Sequence, residues 1–380
     1  MRRAIIPPMH ILVVGASGYV GGRLVPLLVK RGEQVTVAGR DPRGLAERFP
    51  GTRVVPMDLM DPGTFRPALE GVELVYYLAH SMGGGEAGFA DRDKRAARAF
   101  AAEAERAGAQ RIVYLGGLGD DAAGLSHHLA SRHEVGVELA RQGVSVTEFR
   151  AAIIIGSGSA SFEILRHLTE RLPVMITPRW VSTRCQPIAI RDALGYLVAS
   201  LDHPEVAGVV EIGGADVLSY GEMMMRYAKR RGLRRLLIPV PVLTPRLSSY
   251  WVDLVSPIPS NIARPLIEGL RNEVVVRHPE PARTFGIHPA TYDEALELAM
   301  DRSADDGDRL ASPGGIPSIN TRGRELMAHV IPPEASKHFR SAGREQLLGI
   351  RSIVDFWIRR IDEMESRAGG TEAGETIKID

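Results

Sequence analysis

The chain has 380 residues, of which 44% are hydrophobic and 24% charged, as in an ordinary globular protein. A formal net charge of +1 leaves no excess of cations for a phosphate backbone, which argues against a nucleic-acid partner. Cys185 is the single cysteine and no run of about 18 apolar residues occurs, so we expect a cytoplasmic protein without disulfides or an integral membrane segment.

The dominant pattern is the stretch HILVVGASGYVGGRLVPLLVKR, which begins at His10 and ends at Arg31. Its apolar start suits a buried parallel strand, and the spacing of apolar residues then changes to that of a helix. Glycines between a strand and a helix permit a tight turn, the approach of a pyrophosphate and close packing of the helix on the strand. The pattern predicts a dinucleotide site at the helix N-terminus, formed by Gly15, Ser17, Gly18, Tyr19, Val20 and Gly21.

The end of the second strand, residues 33–40, bears on the choice between the two nicotinamide dinucleotides. An acidic residue there binds the ribose hydroxyls of NAD, whereas an arginine accommodates the 2′-phosphate of NADP. Arg40 and Arg43 favour NADP, while Asp41 between them favours NAD. NADP is therefore the expected cofactor and NAD the alternative. Two solvated arginines in a loop are the remaining interpretation.

Further strands are predicted at residues 53–59, 73–82, 111–119 and 145–156, with helices between them. This alternation predicts an α/β fold with a doubly wound parallel sheet of about seven strands. Ligands of such sheets lie beyond the carboxyl ends of the strands. That rule places Ala79, His80 and Arg150 beside the cofactor and Ser81 and Met82 on the substrate side.

The spacing Gly-x-x-Gly-x-x-Gly resembles that of the extended and atypical short-chain dehydrogenase/reductases, over roughly residues 10 to 275. The resemblance implies a Rossmann domain and implies that Asp58 and Leu59 flank the adenine ring. Members of this superfamily place a serine at the end of the fifth strand, where this chain has Gly116 and Gly117. Gly116 is accordingly expected beside the cofactor.

The helix after the fifth strand carries a second departure from the superfamily. Where its members have Tyr-x-x-x-Lys, this chain has His128 and Arg132. The pair resembles an atypical subgroup with His-x-x-x-Arg. Histidine titrates near 6.5 and suits proton transfer, and an arginine one turn away favours its neutral form. The pair is thus a candidate catalytic pair, the alternative being polar residues on a solvated helix face.

Beyond the sixth strand the pattern predicts a cover for the substrate. A mobile loop is expected from Gly156, and Asp192 is expected to cap a returning helix. Arg179, Trp180 and Trp251 are the candidate substrate contacts. The apolar, proline-rich residues 236–259 read as a packed cover, as a pocket wall for a lipophilic substrate, or as a shallow membrane contact. No spacing of ligands predicts a metal site.

The domain organisation follows from shifts in composition. We expect a smaller, mostly helical substrate domain, followed by a C-terminal helical extension. A stripe of apolar residues on this extension is expected to pack on its own chain or to form a homodimer, in preference to binding a membrane surface. The predicted parts are a nucleotide-binding domain at 9–215 with an excursion at 156–185, a substrate-covering domain at 216–300, a linker at 301–333, an amphipathic helix at 334–367 and a disordered tail at 368–380.

Two functions remain open at this level. The first is an NADP-dependent oxidoreductase or epimerase-type enzyme that acts on a small, lipophilic carbonyl or hydroxyl compound. The second is a catalytically inactive regulatory or assembly protein that senses NADP. The loss of the serine, the tyrosine and the lysine together motivates the second.

Overall fold

A computed structural model describes residues 8–79, 89–120, 124–239 and 268–310, and a parallel sheet lies at the centre of this part of the chain. The strands are β1 His10–Val14, β2 Gln34–Gly39, β3 Arg53–Pro56, β4 Leu74–Tyr77, β5 Arg111–Gly117, β6 Ser145–Ala151, β7 Ile154–Ile155, β8 Val174–Thr177, β9 Arg184–Cys185, β10 Ile188–Ala189, β11 Gly208–Ile212, β12 Leu218–Ser219 and β13 Leu236–Pro239. The helices are α1 Gly21–Arg31, α2 Pro42–Arg48, α3 Phe65–Leu69, α4 Phe89–Arg106, α5 His127–Leu139, α6 Ala160–Arg171, α7 Ile190–Ala199, α8 Tyr220–Arg230, α9 Glu280–Arg283 and α10 Tyr292–Leu310.

The central sheet has seven strands in the order β11-β6-β5-β4-β1-β2-β3, and every neighbouring pair is parallel. The chain moves outward from β1 to β3 and then crosses to β4 on the other side of β1. Dinucleotides bind at such a reversal of strand order. The predicted α/β fold with a doubly wound sheet is confirmed, and the reversal lies between β1 and β4.

The first βα unit shows how the sequence produces this architecture. The apolar residues of β1 are buried almost completely because helices cover both faces of the sheet. Helix α1 buries Leu24 and Leu28 against the sheet and ends at Gly32, whose φ of 95° is left-handed. The backbone N–H of Gly32 donates to carbonyls in the last turn of α1, so the chain can reverse into β2.

Three apolar clusters account for the core of the described residues. One lies between the sheet and helices α1 and α7, and a second lies between the sheet and helices α3, α4 and α5. The third joins α6, α8 and α10 with short strands outside the main sheet, and Phe162 and Tyr227 pack edge to face within it. This third cluster corresponds to the predicted substrate-side part of the chain.

Two sequence-based expectations need correction here. Asp192 is not the N-cap of α7: Ala189 occupies the cap, and Asp192 is a buried first-turn residue that accepts from the Ala290 backbone N–H at 2.7 Å. Helix α10 continues through residues 301–310, where an irregular polar segment was expected. The remainder of the predicted linker, the amphipathic helix and the tail lie outside the described residues.

Candidate functional site

The glycine turn between β1 and α1 is too tight for side chains. Gly15 has a φ of 88°, and a Cβ there would lie 2.6 Å from the backbone nitrogen of Ala79 at the end of β4. A Cβ on Gly21 would clash with the carbonyl of Gly15. The Gly18 N–H closes the turn on the Gly15 carbonyl at 3.0 Å. The turn is thus a bare backbone cradle at the reversal of the sheet.

Helix α1 begins at this turn without neutralising its dipole. Val20 is the N-cap and makes no side-chain cap, and the first turn contains no acidic residue. The positive end of the helix therefore faces the cradle, as anion-binding helix starts do. Ser17 and Gly18 are exposed there. The geometry fits the pyrophosphate of a dinucleotide.

The Tyr19 side chain connects the turn to the loop after β7. The guanidinium of Arg23 lies 4.0 Å above the Tyr19 ring and donates to the Ser157 carbonyl at 2.8 Å. A Cβ on Gly156 would clash with the Tyr19 hydroxyl. The Ser159 hydroxyl donates to the Ile154 carbonyl at 2.7 Å. The loop predicted to be mobile is therefore a mostly buried, hydrogen-bonded turn that leads into α6.

At the end of β2 the two predicted arginines are exposed, and the acidic residue between them is engaged. Asp41 is the N-cap of α2, where its carboxylate accepts from the Gly44 N–H at 3.0 Å. Arg40 and Arg43 flank this cap on the surface. Sequence reasoning missed Arg48, which donates to the Ser17 carbonyl at 2.8 Å and covers the backbone of Gly22. A third cation thus borders the glycine turn.

The ends of β3 and β4 border the same crevice. Asp58 and Leu59 follow β3 and are half-buried, and the Asp58 carboxylate accepts from the Met60 N–H at 2.9 Å. Ala79 follows β4 and directly abuts Gly15. The predicted contacts His80, Ser81 and Met82 lie outside the described residues.

Helix α5 carries the candidate catalytic pair over the end of β5. Burial of the ring, followed by the charge of Arg132, lowers the pKa of His128 to about 4. The imidazole is therefore neutral at physiological pH. Arg132 donates to the Leu115 carbonyl on β5, and the Tyr114 hydroxyl donates to the Arg132 carbonyl at 3.0 Å. These bonds attach the start of α5 to the strand below it.

A buried ion pair lies next to this helix and involves a residue that sequence reasoning missed. Arg150 donates from Nε to Oε1 of Glu148 at 2.8 Å, and the Glu148 side chain is 6% exposed. A Cβ on Gly116 would lie 2.8 Å from Oε1 of Glu148, and a Cβ on Gly136 would clash with the same carboxylate. Glu148 thus occupies space that two glycines leave open. In the sequence, the only indication of this buried carboxylate was a single glutamate within the mostly apolar strand predicted at residues 145–156.

The predicted substrate contacts are only partly described. Trp180 packs edge to face on Tyr220, with ring centres 6.2 Å apart, and contacts the third apolar cluster. Arg179 begins a short 3-10 turn, and Trp251 lies outside the described residues. A cavity of about 80 Å³ lies instead beside Tyr19 and Arg23, between the loop after β7 and α10. Of the predicted site residues, Tyr19 alone lines this cavity.

Two further findings apply to the part of the chain that the structure describes. None of its helices combines the length and the apolar character needed to cross a membrane. Its His, Cys, Asp and Glu side chains form no group of three that could hold a metal ion.

Comparisons with known proteins agree with the geometry of the glycine turn. Residues 15–144 match a family described as NAD(P)H-binding, and residues 319–377 match a family described only as uncharacterized. Sterol demethylase protein B of Methylococcus capsulatus is 33% identical over 180 residues, covering 39% of this chain and 52% of that protein. The chain therefore spans about half the length of this curated relative.

Solved structures share the fold at low sequence identity. WbmG of Bordetella bronchiseptica in complex with NAD has a TM-score of 0.61 at 16% identity, over 80% of this chain and 97% of that one. An NADPH complex of an Escherichia coli quinone oxidoreductase has a TM-score of 0.58 at 17% identity, over 76% and 98%. Triphenylmethane reductase of Citrobacter sp. with NADP(H) has a TM-score of 0.59 at 17% identity, over 77% and 100%. The chain thus carries an NAD(P)H-binding domain in the Rossmann-like fold of short-chain dehydrogenase/reductases and epimerases.

Proposed function

We propose that the protein is an NADP-dependent oxidoreductase or epimerase-type enzyme in which His128 handles a proton of the substrate. The observation that carries this proposal is the position of a half-buried, neutral imidazole one helical turn from an arginine, above the carboxyl end of β5. Ligands of doubly wound sheets bind at that edge. A bound nicotinamide would supply hydride chemistry.

The preference for NADP rests on the end of β2. The Asp41 carboxylate accepts a hydrogen bond as the N-cap of α2, so it is poorly placed to bind ribose hydroxyls as well. Arg40 and Arg43 remain as exposed cations that suit a 2′-phosphate. Gly15, Ser17, Gly18, Tyr19, Val20 and Gly21 would hold the pyrophosphate, and Asp58, Leu59, Ala79, Gly116 and Arg150 would line the rest of the cofactor.

The chemical role of the pair follows from its environment. The His128 ring is neutral at neutral pH, so its basic nitrogen can accept a proton from a hydroxyl, and its N–H can donate to a carbonyl oxygen. Arg132 remains cationic and stabilises negative charge that develops nearby. The similarity to sterol demethylase protein B of Methylococcus capsulatus supports a lipophilic carbonyl or hydroxyl substrate.

The test begins with calorimetric titration of NADPH, NADP+, NADH and NAD+ into the full chain. We expect the two phosphorylated dinucleotides to bind at micromolar Kd and the other two about tenfold or more weakly. Lipophilic ketones, quinones and alcohols are then screened by the absorbance of the reduced nicotinamide. Absence of dinucleotide binding would contradict the proposal at its first step.

A second candidate function is a regulatory protein that binds NADP without chemistry. The observation in its favour is that the Arg132 guanidinium donates to the Leu115 carbonyl, so part of its hydrogen-bonding capacity serves the fold. Under this alternative the dinucleotides bind with the same preference, but no substrate is turned over, either by the native protein or by the His128→Ala variant. The substrate screen therefore separates the two functions.

A further inference from the structure

The region from Arg226 to Arg235 concentrates positive charge in a protein that is nearly neutral overall. These ten residues include six arginines and lysines and no acidic residue, whereas the whole chain carries 47 basic and 46 acidic residues. The segment comprises the end of α8 and the approach to β13. Basic residues at a helix C-terminus offset the helix dipole, but that role requires only one or two of them.

The structure separates these cations into two groups. Arg235 is used by the fold, since it donates to the carbonyls of Thr169 and Glu170 at the end of α6. The other members of this group form ion pairs at the surface. Arg226 lies 3.3 Å from Asp293, Arg230 lies 3.0 Å from Glu297, and Arg231 lies 3.5 Å from Glu170. Exposed pairs of this kind contribute little and exchange readily with other anions.

Lys229 and Arg234 form the second group. Both are exposed, and no acidic side chain among the described residues pairs with either of them. They lie on either side of the turn at Gly232, where the chain leaves α8. The turn thus presents two cations that no described carboxylate neutralises, beside two weakly paired ones.

Apolar side chains adjoin these cations on the surface. Leu236 follows Arg235 directly and is 48% exposed, and Met225, one helical turn before Lys229, is 39% exposed. Strand β13 pairs with β8 in a two-stranded sheet, so its other edge has no strand beside it in the described part of the chain. Exposed apolar side chains therefore lie close along the chain to the exposed cations of the same segment.

The geometry points to a peripheral membrane-binding surface for anionic lipids, formed by Lys229, Arg230, Arg231, Arg234 and Leu236. Anionic bilayers attract clustered basic residues, and apolar side chains among them enter the headgroup region. A nucleic acid would engage the cations but would leave Leu236 and Met225 without a role. This surface belongs to α8 and β13, and not to the elements that form the glycine turn, and it would bring the protein to the phase in which lipophilic compounds dissolve.

Vesicle flotation with the full chain tests this surface. We expect binding to vesicles of phosphatidylcholine with about one third phosphatidylglycerol, weak binding to pure phosphatidylcholine, and release by high salt. Each cation near an anionic bilayer contributes about fivefold in affinity, so K229E/R234E should lower the bound fraction at least about tenfold. The variant's thermal unfolding and NADPH titration verify that it is folded.

The matched control is K30E/R66E, which makes the same change of charge on the exposed faces of α1 and α3. The control should retain most of the binding, and K229Q/R234Q should show an intermediate loss. Equal binding to neutral and anionic vesicles, or an equal loss in the control, would overturn the assignment. Binding to heparin or single-stranded DNA without binding to vesicles would overturn it as well, in favour of a polyanion surface.

Discussion

The carboxylate of Glu148 on β6 lies directly against the backbone of Gly136 on α5, in space that a side chain at residue 136 would fill. The same carboxylate accepts from Arg150 and closely approaches Gly116. Helix α5 and the ends of β5 and β6 therefore share one buried charged group. This contact couples the helix that carries His128 and Arg132 to the strands beneath it.

Replacement of Gly136 by Ala should reveal this coupling in stability. An alanine gains about 1 kcal/mol of helix propensity, but the clash with Glu148 costs about 1–3 kcal/mol, so G136A should be destabilising overall. In an E148A background the clash is gone, and the same change should become stabilising. Urea unfolding of the four proteins measures the interaction, and additive free energies would contradict it.

Loss of the Glu148 carboxylate should itself be costly. E148A removes the anion beside the Arg150 guanidinium and should lower the free energy of unfolding by about 3 kcal/mol. E148Q retains an oxygen acceptor of similar shape and should cost about 1–2 kcal/mol. A nearly unchanged stability of E148Q beside a full loss in E148A would indicate that packing of the side chain, and not the ion pair, is the source of the stability.

The glycine turn predicts a loss of cofactor binding without a general loss of fold. G21A places a Cβ against the Gly15 carbonyl and should weaken NADPH binding by about a hundredfold or more. The matched control is G195A in α7, where a Cβ would lie 3.5 Å from Cδ1 of Ile287. That change should stabilise the protein by about 0.5–1 kcal/mol and leave the Kd for NADPH unchanged. Calorimetric titration and urea unfolding report both effects.

Selectivity for NADP should depend on the arginines at the end of β2. R40A/R43A should weaken binding of NADPH by about tenfold to a hundredfold and leave binding of NADH nearly unchanged, because only NADPH carries the 2′-phosphate. D41A removes a helix cap and should cost about 1 kcal/mol of stability without altering the ratio of the two dissociation constants. If D41A instead weakened the binding of NADH much more than that of NADPH, Asp41 would be identified as a ligand of the ribose.

Removal of the His128 side chain should lower activity but make the protein less sensitive to acid. H128A should abolish turnover and change the affinity for NADPH by only a few fold. Because the pKa of His128 is about 4 in the folded protein and near 6.5 when unfolded, the unfolded chain takes up a proton as the pH falls through this window. Stability should therefore decline between pH 6.5 and 4 by about 2 kcal/mol more in the native protein than in H128Q.

The pH dependence of turnover provides a second measure of the pKa of His128. A base with a pKa of about 4 leaves the rate nearly constant from pH 6 to 8, whereas a solvated histidine produces a fall near 6.5. Retention of full activity in H128A would contradict the catalytic role while leaving the cofactor site intact.

Local patterns were sufficient for the doubly wound sheet and for the glycine turn. The apolar run of β1, the positive φ of Gly15 and the α-helical spacing after Gly21 depend on neighbouring residues, so they can be recognised along the chain. The sequence also indicated a loop that begins at Gly156. It did not indicate that this loop is rigid, because the rigidity depends on Tyr19 and Arg23, more than a hundred residues earlier in the chain.

The sequence by itself determined the strand-turn-helix unit and the presence of His128 and Arg132 four residues apart on one helix. Only the tertiary structure decided that Asp41 is engaged as a cap, that Arg48 reaches Ser17, and that Glu148 lies between Gly116 and Gly136. It also decided the protonation of His128. The physical reason is that hydrogen-bond partners, burial and charge all depend on groups that folding brings together from distant parts of the chain.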